Sequence, residues 1–258
     1  MKKLKKLRTS IGKNVIHDSR KLAFFLPNIF TALNLACGFI SIVFIWNEKY
    51  YVACMILMLG VIFDMVDGRI ARLTGTQSDF GEQFDSMSDI VTFGVAPSML
   101  VYNRFFVDLG RLGLVVSFLF LLCGALRLAR FNANVEKVHP NFFQGLPIPA
   151  AAVALVGYVL LSTEFDVLAQ WSPIAVVYVI FYGVLMISNV PFCSFKKSEW
   201  MRAYKKRALI VIFLILAATC VYEQFMIPLV ISIYVVTSLI YFLFHMGELR
   251  GVFDWKNE

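Results

Sequence analysis

An all-α polytopic membrane protein is what this sequence predicts: a helical bundle of about eight transmembrane helices, preceded by an amphipathic helix at the membrane surface. Two observations carry this. The 258-residue chain is 59% hydrophobic and only 16% charged, with a mean hydropathy of +0.74, whereas soluble domains are nearer half apolar and about a quarter charged. The apolar residues also gather into runs near the roughly 20 residues that a helix needs to cross a bilayer. In hydrocarbon such runs must be helical, because every backbone polar group has to be satisfied internally.

Residues 1–25, "MKKLKKLRTSIGKNVIHDSRKLAFF", place Leu4, Leu7, Ile11 and Val15 on one stripe among lysines, the pattern of an interfacial helix. A disordered basic tail is the alternative. No small-x-small cleavage site follows the basic start, so a cleaved signal peptide is not expected. The transmembrane unit, 26–258, holds spans at about 26–46, 50–73, 82–103, 112–131, 147–163, 173–190, 208–222 and 226–245. The last of these are short or interrupted, which leaves a count of seven or nine open. The longest polar connections are 132–146 and 191–207.

Charge gives the orientation. With the N-terminus inside, 21 of the 24 Lys and Arg residues fall on cytoplasmic segments, and only Lys49, Arg104 and Arg111 lie opposite. The positive-inside rule then puts both termini in the cytoplasm of a multi-pass protein of the cell (inner) membrane. The basic residues suit an anionic inner leaflet, and nucleic acid is not an expected partner. The five cysteines, at 37, 54, 123, 193 and 220, lie in or beside apolar spans without metal-like spacing, so neither a disulfide framework nor a zinc site is expected.

The polar exception is residues 64–89, "DMVDGRIARLTGTQSDFGEQFDSMSD". Asp64 and Asp67 share a helical face near the cytoplasmic end of span two, and Ala71 continues it. Gly75 predicts a helix stop and Ser78 or Asp79 the next N-cap. Gly81, Asp85 and Asp89 then recur every fourth residue, so two antiparallel helices present two aspartates each at similar depth. A carboxylate in a membrane helix costs roughly 2.5–3.5 kcal/mol at the centre, and four together repel. Divalent metal is the simplest compensation, since hard cations take oxygen ligands, and a pair of them makes a clamp for phosphoryl chemistry. Gly68 and Gly81 leave room for a substrate against backbone, and Arg72 offers a cation to phosphate oxygens. A cation pathway or a polar packing patch is the non-catalytic alternative.

The pattern Asp64-x2-Asp67-Gly68-x2-Ala71-Arg72-x8-Gly81-x3-Asp85-x3-Asp89 resembles, at each of its fixed positions, the signature of the CDP-alcohol phosphotransferase family. That resemblance implies a six-helix catalytic core, here with two further spans, and transfer of a substituted phosphate from a CDP-linked donor to an alcohol with release of CMP. It implies that Asp64, Asp67 and Asp85 ligate two divalent ions, Mg2+ or Mn2+, with help from Asp89, and that Asp89 is also the general base. Gly68, Ala71 and Arg72 would line the donor site with Asp67 and Gly81. "LPNIFTALN" looks like the family's Pro-Asn-x-x-Thr element, which adds Asn28 and Thr31 to the CDP-diacylglycerol contacts. A homodimer is implied by the family alone. His17, His139 and His245 are scattered and lack the His-x-Lys pattern of phospholipase-D-type transferases. Direct displacement without a covalent intermediate is therefore expected.

Two stretches bear on the acceptor. "GALRLARFNAN" closes span four with Arg127, Arg130 and Asn132, and "NFFQGLPIPAAA" leads into span five. Arg127 and Arg130 share a face, and paired guanidiniums suit an acceptor with its own carboxylate; positive-inside anchoring is the other reading. "LRLARFN" and "F-x-GLP-x-P" resemble the serine-accepting branch of that family in bacteria and archaea. This implies L-serine as acceptor, phosphatidylserine as product, and Arg127, Arg130 and Asn132 on the serine side. Gly145, Pro147 and Pro149 are expected to shape the re-entry into span five. Two alternatives stand beside this: glycerol 3-phosphate as acceptor, and a metal-ion transporter. The second requires acidic or polar residues through the whole membrane depth, and spans five to eight offer none mid-span beyond Ser, Thr, Tyr and Asn.

Overall fold

The structure is a computed structural model, describing residues 25–133, 142–193, 213–214, 217–219 and 221–244. The expected surface helix of residues 1–25, all but Phe25, lies outside these residues, as do most of the expected span at 208–222 and His17, His139 and His245. The helices are α1 (Phe25–Trp46), α2 (Tyr50–Thr74), α3 (Asp79–Leu109), α4 (Arg111–Ala133), α5 (Ile148–Glu164), the short α6 (Asp166–Gln170), α7 (Ser172–Ile187) and α8 (Glu223–Phe244). Five of them, α1 to α4 and α8, are long and apolar enough to cross a membrane, and α5 and α7 are shorter apolar helices. The chain is an all-α polytopic membrane protein.

The junction between α2 and α3 follows its local chemistry. Gly75 ends α2 at φ 62°, ψ 29°, and its N–H returns to the Ala71 carbonyl; this left-handed conformation is open to glycine without Cβ strain. Ser78 then caps α3, its hydroxyl accepting the Gly81 N–H at 3.1 Å. α3 begins earlier and ends later than the apolar pattern implied, because its first turns are polar. It is also not one regular helix. An α segment, Asp79–Asp89, gives way to π-helix over Ile90–Val95, returns to α over Ala96–Val101, and repeats the change at Tyr102–Phe106. Pro97 has no N–H to offer the ladder. Next to it the Ala96 N–H reaches five residues back to Val91 O, and the Ser98 hydroxyl donates to Gly94 O at 2.8 Å.

Two connections that read as separate loops are joined. Strand β1 (Phe142–Gln144) pairs antiparallel with β2 (Pro191–Cys193), Phe143 opposite Phe192. Gly145 follows at φ 74°, donating to Val190 O at 2.9 Å, and the Leu146 N–H reaches Leu185 O at 3.1 Å. Strands of three residues carry no period to read, which is why the sequence shows only helices.

The core centres on α5. Ala151, Ala154, Leu155, Val159 and Leu160 are fully buried, as expected of a helix apolar all round. α5 packs most extensively against α8, and α4 against α7. At Gly157 the approach is so close that a Cβ would lie 3.0 Å from the Pro228 nitrogen of α8. The outward faces of the long helices are apolar and exposed, Phe39, Ile62, Phe118 and Ile233 among them, as lipid-facing surfaces require. Cys37 and Cys54 are buried and Cys123 partly so, all three as free thiols.

Candidate active site

α1, α2 and α3 come together around Thr92. A Cβ on Gly38 of α1 would lie 2.8 Å from Thr92 Cα, and one on Gly60 of α2 would lie 2.9 Å from Thr92 Cγ2. Two missing side chains thus let three helices close to a distance that brings their polar faces into contact. Asp64 and Asp67 of α2 then meet Asp85 and Asp89 of α3. One carboxylate oxygen each from Asp64, Asp67 and Asp85 lie within 4.8 Å of one another. Asp89 lies within hydrogen-bonding reach of Asp64, and both Asp67 and Asp89 are buried.

α1 has no carboxylate, yet its polar face holds the others. The Thr31 hydroxyl lies 2.9 Å from Asp67 Oδ2 and 3.2 Å from Pro27 O; with one proton to give, it favours the charged acceptor. The Asn34 amide donates to Asp89 Oδ1 at 3.4 Å. In return the Ser88 and Thr92 hydroxyls of α3 donate to Thr31 O and Asn34 O at 3.1 and 3.0 Å. Asn34, Ser88 and Thr92 were not singled out in the sequence. The available signal was the three-residue recurrence of Asn28, Thr31 and Asn34 in an otherwise apolar run.

Beside the carboxylates opens a cavity of about 370 Å³. Its lining brings together all seven expected donor-side residues, Asn28, Thr31, Asp67, Gly68, Ala71, Arg72 and Gly81, and adds Asp85, Gln77 and Glu82. A Cβ at Gly68 would stand 3.4 Å from Arg72 Nη1, and one at Gly81 would stand 3.4 Å from Asn28 Oδ1. The two glycines therefore keep the wall low beneath a guanidinium and a carboxamide. Asp64 and Asp89 sit behind this lining.

The donor set fits a divalent cation. Among the described residues the buried Asp85 Oδ1 has no hydrogen-bond partner, a costly state for a carboxylate oxygen unless something else satisfies it. Clustered hard oxygen ligands of this kind suit Mg2+-like ions.

The end of α4 carries the three residues expected on the acceptor side, in different surroundings. Arg127 is 8% exposed and lies in the field of Asp89. Its guanidinium stands 5.4 Å from the Phe131 ring, and its Nε has no hydrogen-bond partner. Arg130, expected beside it on the acceptor side, has other partners. Its guanidinium donates to Met186 O, Ile187 O and Ser188 O at 3.2, 3.0 and 3.4 Å, and to Gln144 O at 3.1 Å. It satisfies the orphan carbonyls that end α7 and ties them to β1. Gly145 lies beneath this clamp; a Cβ there would collide with Met186 O and come within 3.0 Å of Arg130 Nη2. Asn132 donates to Ser86 Oγ at 2.9 Å, fastening α4 to α3 between Asp85 and Asp89.

Comparison with known proteins agrees with this arrangement. The family model described as CDP-alcohol phosphatidyltransferase matches residues 24–182, which span α1 to most of α7 and contain the whole carboxylate cluster. The chain is 38% identical over 227 residues, 88% of its length and 94% of the relative's, to a CDP-diacylglycerol–serine O-phosphatidyltransferase of Helicobacter pylori. It is 42% identical over 163 residues, 63% of the chain and 70% of the relative, to a protein of the same name from Methanocaldococcus jannaschii. It is 37% identical over 181 residues, 69% of the chain and 74% of the relative, to an archaetidylserine synthase of Methanothermobacter thermautotrophicus. With that match covering more than half of the chain, and the four aspartates folded into one cluster beside a cavity, the protein belongs to the CDP-alcohol phosphatidyltransferase family.

Proposed function

We propose that the protein is a membrane enzyme that transfers the phosphatidyl group of CDP-diacylglycerol to the hydroxyl of L-serine, yielding phosphatidylserine and CMP. The observation that carries the chemistry is the carboxylate cluster with its unpartnered Asp85 oxygen, opening on a cavity floored by glycine and edged by Arg72. The names of the relatives and the buried Arg127 carry the choice of acceptor.

The donor lies in the cavity, its diphosphate toward Arg72 and its nucleotide toward Asn28, with Gly68, Ala71 and Gly81 admitting it close to backbone. Asp64, Asp67, Asp85 and Asp89 would hold two divalent ions, Mg2+ or Mn2+, which would supply charge stabilisation for the diphosphate. Thr31 keeps Asp67 oriented. Arg127 meets the serine carboxylate, for which a guanidinium with a free edge is well shaped. Asp89 takes the proton of the serine hydroxyl as its oxygen bonds to the phosphorus bearing the diacylglycerol; the bond from that phosphorus to the CMP oxygen breaks, and CMP leaves. Arg130 and Asn132 act at one remove, holding α4 in place. The site faces the cytoplasm of the inner membrane, with both termini on that side, an interfacial helix at 1–25 and the catalytic unit at 26–258; a homodimer is the expected assembly.

The test is CMP release by purified protein with CDP-diacylglycerol and Mg2+ or Mn2+, offering L-serine and glycerol 3-phosphate separately. Release that requires serine and metal is the expected result. Release with glycerol 3-phosphate alone would keep the reaction class and overturn the acceptor. No release with either, from folded protein, would overturn the reading.

A further inference from the structure

Asn34 is fully buried in the middle of an apolar helix, and it does not line the cavity. Among the described residues its amide has one partner in reach, Asp89 Oδ1 at 3.4 Å, and its own Oδ1 is buried without one. A carboxylate only accepts hydrogen bonds, so it is the amide nitrogen that must face Asp89. The space for this side chain is made by Gly60, where a Cβ would stand 3.2 Å from Asn34 Oδ1. Burying a carboxamide with its oxygen unsatisfied is costly.

The surroundings of Asp89 show what the amide does. Asp89 is the last residue of the regular part of α3, and π-helix begins at the next residue. Such segments are common at functional sites. Asp89 itself keeps helical backbone angles, φ −60° and ψ −41°, so α3 sets its Cβ direction and the neighbouring helices set its carboxylate: Asp64 of α2 lies within hydrogen-bonding reach, and α1 supplies the rest. Ser88, one residue before, and Thr92, three residues after, are bonded to the carbonyls of Thr31 and Asn34, and the carboxylate itself is held by the Asn34 amide.

We propose that Asn34 is a positioning residue for the general base: its amide engages Asp89 Oδ1 and so orients the carboxylate that takes the proton of the acceptor hydroxyl. The inference rests on the transfer reaction proposed above, though not on which alcohol is the acceptor. Because Asn34 does not line the cavity, its loss is expected to act on turnover and not on binding.

The experiment replaces Asn34 with Leu, which keeps the volume and removes the amide, and with Ser, which is polar but too short to reach Asp89. kcat and KM for both substrates are measured with whichever alcohol supports CMP release by the unaltered protein. Thermal stabilisation by CDP-diacylglycerol and metal is measured alongside, as a readout that needs no turnover. Misplacing a catalytic group by about 1 Å costs on the order of 10²-fold, so kcat is expected to fall on that scale in the folded variants. Both KM values stay within about twofold, and the thermal shift persists. A kcat close to that of the unaltered protein in either folded variant would overturn the proposal. So would a rise in KM in place of the fall in kcat, and so would loss of the thermal shift, which would make Asn34 a support of the donor site as a whole. Failure of the unaltered protein to release CMP with any alcohol would overturn the reaction and this inference together.

Discussion

Arg127 and Arg130 lie one helical turn apart and carry the same charge, yet their surroundings differ. Arg127 is buried in the field of Asp89, and among the described residues its Nε has no hydrogen-bond partner. A cation held in that state gains most from an incoming carboxylate, because a charge-assisted hydrogen bond is worth most where water is excluded. Replacing it with Ala is expected to raise KM for serine by about 10- to 100-fold, the 1.5–3 kcal/mol of such a bond, while KM for CDP-diacylglycerol changes by less than about threefold. Steady-state kinetics with each substrate varied in turn checks this, and equal effects on both would remove Arg127 from the acceptor side.

The ends of α4, α5 and α7 are bound into one unit by Arg130, Gly145 and the β1–β2 pair. Helix C-termini leave four carbonyls without intrahelical partners, and a guanidinium with five donors satisfies several of them at once. Arg130→Ala leaves those carbonyls to find other donors, and about 2 kcal/mol of stability is expected to be lost. The measurement is thermal unfolding in detergent, together with KM for serine, which is expected to change much less than in Arg127→Ala. A selective rise in serine KM without loss of stability would return Arg130 to the acceptor side.

Across the molecule, the carboxylate cluster joins α2 to α3 while α1 supplies the uncharged donors, so the site is the place where three helices are held together. Ions held there would stabilise only the folded state, by about 2.7 kcal/mol at a concentration 100 times the dissociation constant. Removing divalent ions with a chelator is therefore expected to abolish CMP release and lower the unfolding temperature, and Mg2+ or Mn2+ to restore both. The check is unfolding with and without chelator in the same preparation; an unchanged unfolding temperature would mean that the aspartates are not held together by metal.

Much of this was legible in the sequence because its causes are local. Apolar runs of spanning length can only be helices in lipid; Gly75 and Ser78 end and start helices through their own backbone and hydroxyl chemistry; and Asp64, Asp67, Asp85 and Asp89 lie on their helical faces by spacing alone. What the tertiary structure decided depends on contacts between residues far apart in the chain. The approach of Gly38 and Gly60 to Thr92, the hold of Asn34 on Asp89 and the pairing of β1 with β2 have no local period. Arg127 and Arg130 are alike in sequence, and only the packing of α7 and β1 against α4 distinguishes them. One guanidinium finds backbone carbonyls within reach there, while the other is left buried with an unpartnered Nε, because burial and partner, rather than residue type, determine what a charge can do.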